Sequence, residues 1–398
     1  MRARIRRFFW PSLRRPLPVF LTPIQNLHAA GRRSASITVA EGCKMAGVRL
    51  QASPAVIRSM IVFFPTYASR TATGWTALIA GMVARPLPER SRRRVLAVAV
   101  LRRLLDLNDA QTSSEVFRRR AEVFLFRRVA GHRVRIALGD RIIDAGLSDR
   151  SGHFQARVDF DDGFAASWAS PGGGRLEYTG ITDEADTDGD GAPTAAGSIH
   201  LVDVTGTSVI SDIDDTVKFS NVAHRRELLR NTLVREFVPV EGMPEVYRRW
   251  RESGAAFHYV SSSPWQLSDC LCRFLGESGL PAGSMHLKLF RLKDSTPLGR
   301  LPTRKRAKRR TIDRIMDDFP GRRFVLVGDS GERDPEVYAA IARHRPEQVA
   351  GIIIREVPAK ASQAKVRERL ARIARRLPRD SFTIFQDPTQ LADLEPAR

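Results

Sequence analysis

The segment at 208–216 reads Ser208-Val209-Ile210-Ser211-Asp212-Ile213-Asp214-Asp215-Thr216, a short apolar strand followed at once by acids. Side chains two apart in an extended chain point the same way, so Asp212 and Asp214 are expected to face one site. Two such carboxylates repel each other unless a cation or a shared proton offsets their charge. Mg²⁺ meets that need, because it takes one or two carboxylates together with phosphate oxygens and water. The alternative is an Asp-rich turn in a solvated loop.

Predicted strands and helices alternate from Leu201 onward. The predicted strands are 208–210, 255–260, 285–292, 324–327 and 349–354, and the predicted helices are 244–253, 265–275, 309–319 and 335–343. Strands separated by helices indicate a Rossmann-like, mostly parallel sheet with right-handed crossovers. Ligands of such sheets bind at the carboxyl ends of the strands, and chemistry is therefore expected there.

Three later strand ends carry groups that suit a phosphate. The run Ser261-Ser262-Ser263-Pro264 offers hydroxyls, and the next helix offers backbone N–H groups, as a cradle for phosphate oxygens. The basic run 304–310 contains Lys308, whose charge would offset that of a phosphate. Asp329 and Asp334 stand five apart across a glycine-containing loop, a spacing that suits a metal ligand and its supporting carboxylate. Singly, these segments are also typical of a Ser-Pro turn, a solvated or nucleic-acid-binding basic face, and an acidic turn.

Short apolar runs predict a small β-rich domain over about 60–205. The predicted strands are 61–65, 75–83, 123–126, 134–138 and 154–158. Val134, Ile136 and Leu138 alternate with polar residues, which is typical of a half-buried strand. Residues 89–127 are rich in Arg and Leu at roughly helical spacing, which predicts a helical insertion in this domain.

An acidic, glycine-bearing loop follows the β-rich strands and invites comparison with a calcium site. Asp186, Asp188, Asp190 and Gly191 match the first half of an EF-hand loop. The twelfth position, which should be a bidentate Glu, is Gly197. The sequence therefore predicts a solvated acidic turn here.

Composition narrows the class of protein and of partner. The 398 residues suffice for two domains, and 65 Lys and Arg against 44 Asp and Glu give a formal charge of +21. This balance favours polyanions, meaning nucleic acid, anionic membrane surfaces or phosphorylated substrates. No segment approaches the roughly 18 uncharged apolar residues of a membrane span. Cys43, Cys270 and Cys272 have neither the number for a disulfide framework nor the spacing of a redox or zinc pair.

Residues 1–56 are basic and almost free of acids. They carry ten Lys and Arg and a single acid, Glu41. Composition of this kind is typical of transit peptides, although the segment lacks the apolar run of a signal peptide. We expect a disordered basic leader, or a start codon placed too far upstream with Met45 or Met60 as the true start; a targeting segment is the alternative.

The order of the motifs resembles the haloacid dehalogenase superfamily, with Asp-x-Asp-x-Thr, then Ser, then Lys, then Gly-Asp-x-x-x-x-Asp. Within it, longer strings resemble the phosphatidate phosphatases of the actin-patch-protein type. These strings are Ser211-Asp212-Ile213-Asp214-Asp215-Thr216-Val217-Lys218, Glu241-Gly242-Met243-Pro244, Ser263-Pro264-Trp265-Gln266-Leu267, Lys308-Arg309 with Ile312, and Gly328-Asp329-Ser330-Gly331 with Asp334-Pro335-Glu336. The resemblance is strong over about 205–357 and looser over the β-rich part.

The resemblance implies an α/β fold with a Rossmann-like parallel sheet and a minimal cap, preceded by a small β-rich domain. The expected organisation is a basic leader at 1–56, a β-rich domain with a helical insertion at 57–204, a phosphatase catalytic domain at 205–357 and a C-terminal helical tail at 358–398. It implies a Mg²⁺-dependent phosphohydrolase that forms and then hydrolyses an aspartyl-phosphate.

Residue roles follow from the same resemblance. Asp212 would be the nucleophile, and Asp214 would protonate the leaving oxygen and then activate water. Ser261 and Lys308 would hold phosphoryl oxygens and developing charge. Three consecutive serines leave open which one binds phosphate, and Ser261 is preferred because it comes first after the strand.

The remaining expected site residues hold the metal or contact the substrate. The expected metal ligands are Asp212, Asp214 through its backbone carbonyl, and Asp329, with Asp334 supporting the metal shell. The expected further substrate contacts are Thr216, Ser262 and Trp265.

The substrate is expected to be a phosphorylated lipid. Only about 27 residues separate Thr216 from Pro244, too few for a large lid, and an open site suits a bulky or interface-bound phosphomonoester. The positive charge and Trp265 suit an anionic bilayer. The resemblance implies phosphatidate as substrate, in a cytoplasmic protein with peripheral membrane contact. The alternatives are a phosphatase acting on nucleic-acid ends or another phosphorylated polymer, and a non-catalytic lipid- or protein-binding module.

Overall fold

The computed structural model describes residues 59–88, 90–171, 174–181, 195–221, 224–288, 303–357 and 363–396. The predicted leader at 1–56 and the acidic loop lie outside the described residues, as do 289–292 of a predicted strand. Within the described ranges the strands form two sheets.

The first sheet contains the core of the β-rich region. Its strands are β1 (Met60–Phe63), β2 (Thr66–Thr71), β3 (Gly74–Pro86), β4 (Phe126–Arg128), β5 (Arg133–Leu138), β6 (Arg141–Leu147), β7 (His153–Phe160), β8 (Arg175–Ile181) and β9 (Ala196–Val202). Their order is β1-β3-β2-β9-β8-β5-β6, β4 and β7 also pair with β3, and every pair except β2–β9 is antiparallel. The predicted alternation is present, because Val134, Ile136 and Leu138 are fully buried on one face. A short helix, α4 (Asp162–Trp168), follows β7.

A helical insertion separates β3 from β4, as the sequence predicts. Its helices are α1 (Arg92–Leu105), α2 (Asp109–Ser113) and α3 (Glu115–Glu122), and they begin at the capping side chains of Ser91, Asn108 and Ser114. The predicted strand at 123–126 is wrong, because α3 extends to Glu122 and β4 begins only at Phe126. Periodicity cannot separate a short apolar run at a helix end from a strand, and Leu125 here packs into a small cluster with the helices.

The second sheet is parallel throughout and confirms the predicted α/β fold. Its strands are β10 (Gly206–Ser211), β11 (Ala256–Pro264), β12 (Ser284–Lys288), β13 (Arg322–Asp329), β14 (Val349–Arg355) and β15 (Phe382–Phe385), in the order β12-β11-β10-β13-β14-β15. The helices are α5 (Arg225–Leu233), α6 (Met243–Glu252), α7 (Ser268–Glu277), α8 (Thr303–Asp318), α9 (Asp334–His344) and α10 (Gln363–Ala374). One face buries Trp250 of α6 and Leu271 of α7, and the other buries Ile312 of α8 and Ile341 of α9.

The C-terminal residues are more than the helical tail that the sequence predicts. They contain α10, but β15 then adds a sixth parallel strand beside β14. The indole N–H of Trp250 donates to the Leu394 carbonyl at 2.7 Å, and Arg249 donates to the Leu391 carbonyl at 2.6 Å. The segment after 357 is therefore part of the second sheet and its core.

The two sheets pack against each other. The Tyr67 hydroxyl of β2 donates to Asp318 of α8 at 2.6 Å, and the Met285 N–H of β12 donates to the Pro65 carbonyl at 2.9 Å. A cleft of about 490 Å³ lies between them, lined by residues of β2, β3, β7, β12 and α8. Its lining includes none of the carboxylates at the strand ends. The carboxylates at the strand ends therefore form a site separate from this cleft.

Candidate active site

Asp212 directly follows β10, in the middle of the parallel sheet. Its backbone N–H donates to the Val327 carbonyl of β13 at 2.9 Å, so the pairing of the strands fixes its position. Ser211 donates to the Asp212 carbonyl at 2.6 Å and contacts the Tyr247 hydroxyl at 2.7 Å. The Asp212 side chain is only 1 % exposed. A carboxylate this deeply buried needs a charge partner.

A tight loop after Asp212 is shaped by Asp215. Asp215 adopts a left-handed backbone conformation with φ of 55°, which turns the chain back on itself. Its carboxylate accepts the backbone N–H groups of Ser220 and Asn221, each at 2.8 Å. The sequence gives Asp215 no role in the chemistry, and the structure gives it the role of holding this loop.

Three buried carboxylates converge on one lysine. Asp212, Asp329 and Asp334 each place a carboxylate oxygen within 4.8 Å of the others. The Lys308 ammonium of α8 donates to Asp212 Oδ1 at 2.8 Å and to Asp334 Oδ1 at 2.6 Å. Asp329, at the end of β13, is held by the backbone N–H groups of Gly331 and Glu332. The structure thus brings together four residues that come from three separate segments of the sequence.

The electrostatics of this cluster leave it with too much negative charge. Burial raises the pKa of Asp212 and of Asp329 well above the usual range, and the nearby Asp334 carboxylate adds to both rises. Burial lowers the pKa of Lys308, but Asp212 and Asp334 outweigh this effect and raise it well above its ordinary value. One charged ammonium therefore faces three carboxylates, and a further cation would relieve the repulsion that remains.

Asp214 lies in a second, separate polar network. Lys218 pairs with Asp214 Oδ1 at 2.8 Å, and Ser220 donates to the same oxygen at 2.6 Å. Asp214 Oδ2 accepts from Ser263 at 2.5 Å and from Ser261 at 3.3 Å. Burial by itself would raise the pKa of Asp214, but Lys218 and the hydroxyls lower it to about 2. Asp214 is therefore ionised in this state of the protein.

Lys218 is itself held by an aromatic ring that a second cation touches. Its Nζ lies 4.7 Å from the centroid of Phe237, and the guanidinium of Arg120, from α3, lies 3.6 Å from the same centroid. Arg120 is 2 % exposed and pairs with Glu236 at 3.0 Å. The helical insertion of the first sheet therefore supports the ring against which the partner of Asp214 rests.

The remaining predicted site residues have mixed positions. Thr216 is fully buried, and its hydroxyl has no hydrogen-bond partner among the described residues. Ser262 is half-buried, between the two serines that bond Asp214. Trp265 is 3 % exposed, and its ring packs 5.6 Å from both Phe64 and Phe126 of the first sheet. The structure thus places Trp265 in the contact between the sheets.

The carboxylate cluster fits a hard divalent cation. Oδ2 of Asp212 and Oδ2 of Asp329 are buried and have no hydrogen-bond partner in the described part of the chain. Orphaned buried carboxylate oxygens are costly unless an ion or water satisfies them. Both belong to the same group of three carboxylates, and carboxylate oxygens are the ligands that Mg²⁺ prefers.

Sequence reasoning assigned no role to two residues of this site. Lys218 stands in the string that carries the family resemblance, and Ser220 stands just beyond it, yet neither was given a function. The sequence feature that could have identified Lys218 is its position six residues after Asp212. The left-handed turn at Asp215, which brings Lys218 back onto Asp214, has no clear mark in the sequence.

Known proteins resemble this chain over the second sheet. Residues 207–356 match the family model described as the catalytic domain of phosphatidate phosphatase APP1. The uncharacterized protein C29B5.04c of Schizosaccharomyces pombe is 36 % identical over 163 residues, which are 40 % of this chain and 26 % of that protein. Phosphatidate phosphatase APP1 of Saccharomyces cerevisiae is 33 % identical over 160 residues, 39 % of this chain and 27 % of that protein. The chain thus spans about a quarter of the length of these relatives.

Solved structures align only weakly. A Mesorhizobium loti protein described as a HAD-like phosphatase aligns at a TM-score of 0.26 and 14 % identity, over 44 % of this chain and 88 % of that one. An uncharacterized Listeria monocytogenes protein aligns at 0.28 and 13 %, over 47 % and 95 %. Scores this low carry no argument about function. The family model thus places the similarity of this chain to the catalytic domain of phosphatidate phosphatase APP1 within residues 207–356, and each of the two sequence relatives is similar over about 160 residues.

Proposed function

We propose that this chain is a Mg²⁺-dependent phosphomonoester hydrolase that acts through an aspartyl-phosphate, an acyl phosphate formed on Asp212. The observation that carries the proposal is the state of Asp212, whose Oδ1 is held by Lys308 while its buried Oδ2 has no partner among the described residues. An oriented carboxylate with one free oxygen suits nucleophilic attack, because no hydrogen bond must break first.

The first half of the proposed reaction forms the aspartyl-phosphate. Asp212 Oδ2 bonds to phosphorus as the bond from phosphorus to the leaving oxygen breaks, and Asp214 gives its proton to that oxygen. Asp214 must be protonated for this step, and the negative charge of a bound phosphate raises the proton affinity of a carboxylate beside it. Lys308, between Asp212 and Asp334, can offset charge that develops on the phosphoryl oxygens.

The second half releases phosphate. Water attacks phosphorus, Asp214 takes a proton from that water, and the bond to Asp212 Oδ2 breaks. The pKa of about 2 suits Asp214 to enter this step ionised. Ser261 and Ser263, which now bond Asp214, are placed to bond phosphoryl oxygens when substrate is present.

The proposed metal site comprises Asp212, Asp329 and the backbone carbonyl of Asp214, with Asp334 holding Lys308 and supporting the cluster. A bound Mg²⁺ supplies charge neutralisation between the Asp212 carboxylate and the phosphoryl group. The proposal is supported by the orphaned Oδ2 of Asp329, by the close approach of the three carboxylates and by the raised pKa of Asp212 and Asp329.

The proposed substrate is phosphatidate, cleaved to diacylglycerol and phosphate. Support comes from the S. cerevisiae relative, whose name is phosphatidate phosphatase, and from the surface beside the site. Phe219 and Val238 flank the loop of Asp214 and are 53 % and 56 % exposed. Apolar side chains at the rim of an open site suit a substrate that carries acyl chains. We further propose a cytoplasmic protein in peripheral contact with anionic membrane; the described residues contain no helix long and apolar enough to cross one.

The test is phosphate release by the purified full chain from phosphatidate in mixed micelles, with Mg²⁺ and with chelator. We expect release that requires Mg²⁺ and is absent in Asp212→Asn. The panel includes a soluble phosphomonoester and an oligonucleotide with a terminal phosphate, because the basic run at 304–310 also suits nucleic acid. Turnover of the oligonucleotide without turnover of phosphatidate would overturn the lipid assignment, and Mg²⁺-independent turnover would overturn the metal.

A further inference from the structure

Helix α1 presents apolar side chains to solvent instead of to a core. Val95, Leu96, Val100 and Leu104 are 60, 67, 48 and 61 % exposed. The opposite face is the one that packs into the protein, through Ala97, Val98, Leu101 and Leu105. The outer face of a surface helix normally carries charged and polar side chains. Leu96, Val100 and Leu104 are spaced four residues apart and form one outer stripe, and an exposed apolar stripe of this kind needs a partner.

The charges on α1 indicate which partner. Arg92, Arg93 and Arg94 stand in its first turn, Arg102 and Arg103 in its last, and the helix contains no acid. Arg102 pairs with Asp109, whereas Arg92, Arg93 and Arg103 have no ion pair with a described residue. An apolar middle between three arginines in the first turn and two in the last matches a helix lying in a bilayer surface, with the arginine stems reaching up to the headgroups.

The location of α1 relates it to the active site. It packs on α5, where Arg230 donates to the Leu105 carbonyl at 2.5 Å. On the same helix α5, Asn231 donates to the Ser220 carbonyl at 2.9 Å, and Ser220 bonds Asp214. One helix therefore separates α1 from the loop of Asp214, at the edge of the sheet where the strands end.

We infer that α1 is the membrane-docking element of this protein, with its exposed face inserted into an anionic bilayer beside the active site. A protein partner would be expected to place acids opposite the arginines, and a helix used only in this way would leave anionic vesicles unbound, whereas nucleic acid would use the arginines and not the leucines and valines. An anionic lipid surface uses the apolar face and the arginines together. That docking serves turnover rests on the function proposed above.

Binding is tested by flotation of the full chain with phosphatidylcholine vesicles that contain or lack phosphatidylserine. We expect binding only to the anionic vesicles, and a loss of at least about tenfold in the double variant Leu96→Ser, Val100→Ser. The matched control is Ile142→Ser, Leu147→Ser on β6, since these residues are 66 and 64 % exposed and lie away from α1. Equal binding by the α1 variant and the control would overturn the inference.

The arginines are tested in the same assay. Arg92→Gln, Arg93→Gln is expected to lower binding to anionic vesicles roughly tenfold, and Arg375→Gln, Arg376→Gln, another exposed pair, is expected to change it little. If the α1 pair alters oligonucleotide binding or self-association and leaves vesicle binding unchanged, α1 serves nucleic acid or a second copy of the chain, and the inference is wrong.

A third measurement separates this inference from the proposed function. Asp212→Asn is expected to bind vesicles as the wild type does, because binding needs no turnover. The Leu96→Ser, Val100→Ser variant is expected to lose hydrolysis of phosphatidate in vesicles and to keep hydrolysis of a soluble phosphomonoester. If vesicle binding depends on α1 but phosphatidate is not hydrolysed, only the proposed function is wrong. If phosphatidate is hydrolysed but vesicle binding does not depend on α1, only the docking role is wrong.

Discussion

The two sheets of this protein bury different kinds of side chain. In the first sheet and its helical insertion, Arg120 and Ser148 are the buried polar side chains among the described residues, and the rest of that core is apolar. The second sheet and its connections bury all the other polar and charged side chains that the described ranges contain, including Asp212, Asp214 and Lys308. The buried residues of the first sheet therefore mainly stabilise the fold. The second sheet buries charged groups that lower its stability and form the candidate active site.

The cost of the second arrangement is visible in its electrostatics. Antiparallel alternation lets each strand of the first sheet turn its polar side chains to the surface. In a parallel sheet that is covered on both faces, charged groups can lie only at the strand ends. Asp212 and Asp329 lie buried there, and their pKa values are raised. Substitutions in the first sheet should accordingly change stability and not the rate per folded molecule, and substitutions at the strand ends should do the opposite.

The largest expected effect is at Asp212, the proposed nucleophile. Asp212→Asn should lower the turnover number by at least about 10⁴-fold, about 5 kcal/mol on the barrier, because the attacking oxygen is lost while the shape of the side chain is kept. Phosphate release measures the rate, and thermal unfolding confirms that the variant is folded. The same change at Asp140, an exposed turn residue of the first sheet, should leave turnover unchanged. Near-normal turnover in Asp212→Asn would contradict its role as nucleophile.

In the first sheet, the expected effect is on stability. Ile136→Ala removes a fully buried side chain of β5 and should lower the free energy of unfolding by about 2–5 kcal/mol. Denaturant unfolding measures this loss, and Ile142→Ala on the neighbouring strand, 66 % exposed, is the control. Turnover per folded molecule should be unchanged in both. A large fall in turnover without loss of stability would show that the two sheets do not divide these tasks.

The third prediction concerns acid pH and a histidine inside the second sheet. Burial lowers the pKa of His258 well below 6.5, so the native protein keeps it neutral while the unfolded chain gains a proton below that pH. The unfolded state then binds more protons, and stability is lost as pH falls from 6.5 toward the native pKa, by roughly 2 kcal/mol at pH 5. Denaturant midpoints at pH 7 and pH 5 measure this loss. It should shrink in His258→Gln and persist in His344→Gln, an exposed control; an unchanged loss in His258→Gln would assign it to other groups.

The smallest predicted effect is a gain of stability. Asp329→Asn removes one of the crowded buried carboxylates and should raise the free energy of unfolding of the metal-free protein by about 1 kcal/mol. The same variant should lose the rise in melting temperature that Mg²⁺ gives the wild type. Thermal unfolding with chelator and with Mg²⁺ measures both, with Asp269→Asn on the surface of α7 as control. A normal Mg²⁺ response in Asp329→Asn would exclude Asp329 as a ligand.

The sequence predicts the parallel sheet well because each strand is a short apolar run between helical segments. It also predicts that Asp212 and Asp329 follow strands, since an acid cannot continue a buried run. The arrival of Lys308 between Asp212 and Asp334 could be expected only from the family resemblance, because it depends on how α8 crosses the sheet. No local sequence pattern predicts how a helix crosses a sheet.

The misses have specific physical causes. β15 is four residues long, and its assignment to the sheet depends on pairing with β14, which is a long-range contact. Trp265 follows a strand end, as a substrate contact would, but the first sheet packs over it and fixes its environment. Lys218 reaches Asp214 because Asp215 takes a left-handed turn that non-glycine residues seldom adopt.

The ring of Phe237 contacts both Arg120 of α3 and Lys218. This arrangement limits how segments of the chain can be exchanged with those of other proteins. The segment that relatives share begins at 207 and ends at 356, but the cation that supports the ring comes from residue 120, and the last strand of the sheet comes from beyond 380. A chimera that joins 207–356 to a foreign N-terminal region therefore contains Asp212 but lacks the Arg120 contact that supports the lysine partner of Asp214. Exchange of catalytic segments among such proteins should succeed only where the α3 arginine and the final strand are exchanged with them.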